Sequence, residues 1–370
     1  MSAVATQTIS AQALPLLKSV TEPSVFQRTA QHAIQFNPNT HLAPIEPPEV
    51  LRMTDLGYPE DTGVSPMAVS KAFQLFTPEA IQVMRAEIFQ PAVHKKCSFS
   101  SNLAVSQLRG YAKEYAPFTY EAWNHPQTLA TISRIAGVEL VPVMDYEIGH
   151  INLSMKTEAE TREELSIVNE RKRFHTEDEG ISGCLWEGDK PIVGWHTDSY
   201  PFVCVLMLSD CTNMVGGETA LRKADGDVLR VRGPTQGCAV IMQGRYILHQ
   251  AMRALGAQER ITSVTSFRPK SAFVKDDSVL RTVRPVSNLS GLYSGFAEYR
   301  LEMLEEQVRQ ERQRLAARRR AGEEFDILGH KQFLHGAIAF AEHTDGELIE
   351  DGKVLKGFIE EVDLPDARIE

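Results

Sequence analysis

The sequence predicts an α+β chain: an all-β barrel or sandwich at the centre, α-helices packed before it and a helical extension after it. Three observations carry this reading. Residues 191–269 run as short apolar, β-branched segments separated by turn signals, "MVGGET" (214–219), "ADGD" (224–227) and "RGPTQG" (232–237), which is the spacing of consecutive strands in an all-β unit. Residues 76–90, "FTPEAIQVMRAEIFQ", open on strong helix-start signals. Residues 297–320, "AEYRLEMLEEQVRQERQRLAARRR", place Leu301, Leu304, Val308 and Leu315 on one helical face.

Taken in order, residues 1–45 are poorly periodic and end in the proline-rich "HLAPIEPPEV", the signature of an extended arm along the surface. The helix over 76–90 has Thr77 to cap it, Pro78 for its first turn and Glu79 to complement its dipole. Further helices are expected around 102–114 and 126–136. Residues 138–155, "VELVPVMDYEIGHINLSM", are rich in Val and Ile with near-alternation, a strand region. Residues 156–191 are highly charged and interrupt the strands, either as a solvated surface helix and loop or as a lid. The stretch 193–211, "VGWHTDSYPFVCVLMLSDC", reads as buried strand. The helix over 297–320 either buttresses its own chain or forms a coiled coil with a second copy. An apolar island, "HGAIAFAEHT" (335–344), follows it and reads first as packing against the barrel. The expected organisation is an N-terminal arm and helices (1–137), the β core (138–275) with its charged insert, and the helical extension (276–370), together one unit.

The chain has 370 residues, 42% of them apolar, so it can bury a large core. Its formal net charge of −10 argues against a nucleic-acid partner. No apolar run approaches the roughly 20 residues of a membrane helix. The N-terminus lacks the basic-then-apolar order of a signal peptide. Five cysteines (Cys97, Cys184, Cys204, Cys211 and Cys238) are odd in number, with no Cys-x-x-Cys pair. That usage fits a reducing, cytoplasmic setting better than a disulfide framework.

Within 193–211, His196 and Asp198 are two residues apart, and strand alternation points such residues to one face. Alone, the pair reads first as a hydrogen-bonded His–Asp couple at a strand end, with a metal site as the lesser alternative. His249, after "AVIMQGRYIL", supplies a second imidazole. Two histidines and one carboxylate on a metal face leave coordination positions open, the arrangement of non-haem Fe(II) oxygenases. In "ERITSVTSFRP" (259–269), Arg260 and Thr262 share a strand face and together suit a carboxylate. An iron site with such an anchor implies a dicarboxylate cosubstrate, and 2-oxoglutarate has the required keto acid and distal carboxylate. Arg268 lies on the same alternation and is the rival anchor. Gly216 and Gly217 read as a turn or bulge, and Glu218 as structural. Tyr146, His150 and Asn152 alternate and are candidates to line a pocket, with ordinary hydrogen bonding in the barrel wall as the alternative. His175, in the charged insert, is expected to be solvent-exposed.

In order and spacing, His196-x-Asp198, His249 and Arg260-x-Thr262, with "GGET" between, resemble the Fe(II)/2-oxoglutarate-dependent oxygenases over about residues 140–269. The wording "WHTDSYPFVCVLMLSDCTNMVGGET…RGP…GRYILH…RITSVTSFRPK" is most similar to fungal small-molecule members that oxidise amino acids, including one that closes valine to an aziridine. The resemblance implies a double-stranded β-helix, a jelly-roll core. It implies Fe(II) on His196, Asp198 and His249, 2-oxoglutarate on Arg260 and Thr262, O2 as oxidant and a small-molecule substrate in a monomer or homodimer. It also implies that Ile338 and Phe340 close the substrate pocket. A halogenating relative would need a small residue at position 198, so the carboxylate there implies oxygenation or oxidative cyclisation. A metal-dependent hydrolase and a non-catalytic cupin-like binding protein are the alternative readings. Against the hydrolase stands the lack of a separate acid/base Glu beside the ligands, as in His-Glu-x-x-His.

Overall fold

Eight strands build the part of the chain that positions the site: β1 (His150–Met155), β2 (Val193–His196), β3 (Phe202–Met207), β4 (Thr219–Arg222), β5 (Val228–Val231), β6 (Cys238–Met242), β7 (His249–Ala251) and β8 (Glu259–Pro269). In this computed structural model the described residues are 34–44, 46–102, 104, 106–172, 193–212, 214–231 and 235–359. Those from Gln35 onward belong to one unit. The chain is mixed α+β with a large antiparallel sheet. In that sheet β6, β3, β8 and β1 are neighbours in that order, extended on both sides by shorter strands. A four-stranded sheet has the order β5-β4-β7-β2. The chain therefore passes from large sheet to small at β2, back at β3, across for β4 and β5, back at β6, across at β7 and back at β8.

Alternation along β8 explains how both faces are filled. Ile261 and Phe267 join a buried cluster with Phe118, Trp123 and Ile132, under the N-terminal helices. Val264 points the other way, into a cluster that holds Val203 and Met242 of the large sheet with Leu221, Leu229 and Val231 of the small one. Apolar surface of both sheets is thereby withdrawn from water, at about 25 cal/mol for each Å².

Two of the expected N-terminal helices form. α1 (Pro78–Ile88) is capped by Thr77, whose hydroxyl accepts from the Ala80 N–H. α2 (Pro126–Ala136) stops at Gly137, whose φ of 71° suits the left-handed end of a helix. The helix expected over 102–114 does not form. Ser106–Leu108 is instead a strand on the edge of β1, with Gln107 opposite Asn152, and only Ala112–Tyr115 turns helical. The free edge of β1 offers ladder hydrogen bonds that outweigh local helical preference. Gly110, at φ 66°, breaks the run, and the Tyr146 ring occupies the space a side chain there would need. The strand region 138–155 is likewise split, into Leu140–Pro142 and β1, by a 3-10 turn at Asp145–Glu147.

A buried ion pair ties these pieces together. The Arg109 guanidinium contacts the Glu147 carboxylate with both side chains almost inaccessible, and it also donates to Ser287 Oγ at 3.2 Å. Tyr200 donates to Glu147 from a turn that follows β2. The satisfied network is what makes the burial of two charges tolerable.

The charged insert begins with α3 (Glu158–Lys172). Glu164 accepts from Lys156 Nζ (2.7 Å), Arg253 Nη2 (2.9 Å) and the Gly256 N–H (3.1 Å), which docks the helix on the turn between β7 and β8. The remainder of the insert, including His175, lies outside the described residues, as does most of the N-terminal arm.

The extension is a helical pair, α4 (Leu289–Arg320) and α5 (Ile327–Glu347). The expected stripe on α4 is not its buried face. Leu292, Phe296, Tyr299 and Met303 are buried, whereas Leu301 and Val308 are exposed. The residues that pack are set by the first half of the helix, which lies against Val143, Met144 and Tyr200. No helix among the described residues is long and apolar enough to cross a membrane.

Candidate metal centre

β2 and β7 are antiparallel neighbours, and their register sets His196 directly opposite His249. The ring centroids are 4.3 Å apart. Each imidazole uses Nδ1 on a carbonyl two residues back, His196 on Gly194 O at 2.8 Å and His249 on Ile247 O at 2.9 Å. A carbonyl oxygen only accepts, so in both rings Nδ1 carries a proton and Nε2 is the nitrogen left to face a metal. That is the second partner a metal-bound histidine requires. Burial, reinforced by the neighbouring His249, pulls the His196 imidazole down to about 4, so the ring is neutral at physiological pH.

Asp198 completes the set. Its oxygens lie 3.8 Å from His196 Nε2 and 3.6 Å from His249 Nε2, and one ligand atom from each of the three residues falls within 4.8 Å of the others. These separations are too long for hydrogen bonds. Asp198 Oδ2 is buried without any hydrogen-bond partner. Such an oxygen costs free energy unless a cation satisfies it. Two imidazoles with Nε2 facing one point and one unsatisfied carboxylate oxygen fit a divalent transition metal.

The route to this geometry differs from strand alternation. β2 ends at His196, so Asp198 sits in the turn beyond it and not on the same strand face. The turn is held by the Asp198 N–H, which donates to Gly244 O at 2.9 Å. His249 begins a strand of its own, since β6 stops at Met242. Gly244, which the sequence reading passed over, lies against the carboxylate: a Cβ there would overlap Asp198 Oδ2 and come within 2.7 Å of Cγ. Its signal was a glycine in "MQGRY" just past an apolar strand. Gly244→Ala is expected to displace Asp198 and weaken divalent-metal affinity by on the order of 10- to 100-fold, the range for losing an outer support of a ligand. Calorimetric titration of the metal-free variant with Co(II) checks it.

Arg260 and Thr262 both lie on β8, opposite Ser154 and Asn152 of β1, on the face that carries Val264 into the inter-sheet cluster. Thr262 is buried, and Arg260 Nε is buried with no hydrogen-bond partner. Burial lowers the Arg260 pKa from its usual range, with the Cys211 thiol acting in the opposite sense. Arginine nonetheless stays protonated, so a half-buried cation with an unpartnered Nε wants an anion. The Gly216–Gly217 turn, at φ 81° and 77°, packs beside it, and a Cβ on Gly217 would lie 3.6 Å from Arg260 Nε. Arg268 has its guanidinium 4.8 Å from the Tyr299 ring centroid and Nη1 donating to Pro269 O, although its Nε, like that of Arg260, is buried without a partner.

The other candidates divide. Asn152 shares the Arg260–Thr262 face. His150 takes a hydrogen bond from Arg109 on Nδ1, and burial, then that guanidinium, holds its pKa well below the usual value. Tyr146 is a fastener: its hydroxyl accepts from the Asn288 N–H at the start of α4. Ile338 is 54% exposed. Phe340 lies under the Arg300 guanidinium, 3.5 Å from centroid to Cζ, and packs on the α4 cluster. Glu218 is buried outside the His–Asp–His group. A cavity of about 460 Å³ beside α3, lined by Glu158, Asp210 and Glu259 among others, contains none of the three ligands.

No family model and no curated protein matches the chain. Solved structures do. A 2OG-Fe(II) oxygenase family oxidoreductase from Burkholderia pseudomallei matches at 13% identity over 50% of this chain and 76% of that one, with a TM-score of 0.32. A Pseudomonas putida prolyl-4-hydroxylase matches at 15% identity over 55% and 92%, TM-score 0.29. AviO1 from Streptomyces viridochromogenes Tue57 matches at 14% identity over 55% and 90%, TM-score 0.36. With TM-scores this low, the strand order and the site geometry decide the reading, and these likenesses add nothing to it.

Proposed function

We propose that the chain is a non-haem Fe(II)- and 2-oxoglutarate-dependent oxygenase that oxidises an unactivated C–H bond of a small molecule. The observation that carries it is the gathering of one ligand atom each from His196, Asp198 and His249 within 4.8 Å, with Asp198 Oδ2 buried and unsatisfied. In this reading the two sheets are a double-stranded β-helix, and residues 138–275 form the catalytic core that 1–137 and 276–370 pack around.

His196, Asp198 and His249 would hold the iron, which when bound supplies O2 activation coupled to decarboxylation of the 2-oxo acid. The chain's own residues do the rest. The Nδ1 bonds to Gly194 and Ile247 keep both imidazoles aimed, with Nε2 turned to the metal. The Asp198 charge offsets part of the metal's charge. Arg260, with one bond from the Thr262 hydroxyl, fixes the distal carboxylate of 2-oxoglutarate and so orients its keto acid. Val203, Val264 and Leu221 keep water from the space between the sheets. The substrate is proposed to be an amino acid such as valine, taken to a hydroxylated product or an aziridine in fungal specialised metabolism, inside the cytoplasm. A panel of amino acids scored by succinate release tests this. One substrate that stimulates succinate formation well above the uncoupled rate is the expected result; a panel with no stimulation removes the amino-acid assignment.

A further inference from the structure

A strap of residues 275–284 crosses the rim of the metal centre. The Val279 N–H donates to Ser199 O at 2.8 Å, and the Ser199 and Thr282 hydroxyls are 2.6 Å apart. Both bonds fall on the residue that follows Asp198. At the other ligand loop, Arg245 Nε and the Tyr246 hydroxyl bond to Asp277. From behind, Glu347 of α5 accepts from the Leu280 N–H and from Arg284, and His343 donates to Ser278 O. Arg281 stands between these fixed points. Its Nη2 donates at 3.0 Å to the hydroxyl of Thr197, the residue between His196 and Asp198.

The strap's other cations are spoken for. Lys275 pairs with Asp277, Arg284 with Glu347, and the Arg300 that supports the strap approaches Asp276. Arg281 is exposed, and among the described residues no carboxylate pairs with it. A positive side chain beside a cation site is of no use to the metal. It is of use to an anion that has to lie next to the metal.

We infer that Arg281 is a specificity residue that binds a carboxylate of the primary substrate at the mouth of the centre. The inference rests on the oxygenase reading proposed above. With one guanidinium offered and one of its nitrogens partly spent on Thr197, the site supplies a single positive charge. That matches a monoanionic carboxylate better than a phosphate dianion. The helical extension then has a task in substrate choice: Glu347 and His343 hold the strap, and the strap holds Arg281.

The test uses anaerobic, Fe(II)-loaded protein with saturating 2-oxoglutarate. Aliphatic and amino-acid carboxylates of three to six carbons are titrated against it, each beside its primary amide, with binding read by thermal stabilisation and by perturbation of the iron–2-oxoglutarate absorption. The expected result is that carboxylates bind wild type, that the matched amides bind roughly 10- to 100-fold more weakly, and that Arg281→Gln shows the same loss for the carboxylates. Arg281→Lys should recover part of it, and both variants should keep iron and 2-oxoglutarate affinity. Equal binding of acid and amide, equal binding by wild type and Arg281→Gln, or binding of no carboxylate by wild type would each overturn the assignment. So would loss of iron in Arg281→Gln, which would make Arg281 a support for the ligand turn. A wild type that shows no iron–2-oxoglutarate absorption, yet still separates acids from amides, strikes the oxygenase reading and leaves Arg281 standing.

Discussion

Substituting His249 with alanine is expected to abolish bound iron and all 2-oxoglutarate turnover. His249 is buried, sits in register with His196 and offers an Nε2 that makes no hydrogen bond among the described residues. Removing it leaves one imidazole and one carboxylate, too few ligands to hold a metal that keeps open positions. The loss should exceed the roughly 10- to 100-fold typical of removing an outer hydrogen-bond partner. The same substitution opens a hole inside the small sheet, where β7 lies between β4 and β2, so unfolding must be separated from metal loss. His249→Gln keeps most of the volume and is the control. Both variants should retain wild-type circular dichroism while metal analysis after desalting finds no iron. Iron at wild-type stoichiometry in either variant would remove His249 from the ligand set.

Replacing Arg260 with alanine should leave iron in place and cripple cosubstrate binding. The guanidinium is half-buried and its Nε has no protein acceptor. A hydrogen bond to a charged group is worth about 1.5–3 kcal/mol, or roughly 10- to 150-fold in affinity. The KM for 2-oxoglutarate should rise by that factor, and a cosubstrate lacking the distal carboxylate should lose nothing further in the variant. Arg268→Ala should barely move the KM, because Arg268 is occupied against Tyr299. Its cost should appear in stability instead. The reverse ranking of the two variants would transfer the anchor to Arg268.

The parts of this site that the sequence disclosed are those whose chemistry is written in residue type. An imidazole and a carboxylate inside an apolar run, a second imidazole after another, and an arginine on a long β-branched strand announce themselves wherever the chain takes them. How they meet was less legible. Alternation along one strand was a sufficient reason to expect His196 and Asp198 on one face, but β2 stops at His196 and a turn bonded to Gly244 does the work. Gly244 matters only through what lies opposite it, and local sequence holds no record of that. The same is true of the strand at Ser106–Leu108, which has the composition of a helix and the partner of a strand. Arg281 meets Thr197 across 84 residues of chain and carries no local signal at all. On α4 the apolar periodicity was real, but the buried face is chosen by what the first turns of the helix touch.

The anaerobic absorption spectrum of the Fe(II)-loaded protein, titrated with 2-oxoglutarate, tests the central claim most directly. Chelation of iron by the keto acid at His196, Asp198 and His249 should give a visible charge-transfer band that saturates with 2-oxoglutarate. The band should be absent in His249→Ala and should need far more 2-oxoglutarate in Arg260→Ala. A wild-type protein that binds iron at these residues yet shows no band at saturating 2-oxoglutarate would contradict the account and return the site to a hydrolase or a binding module.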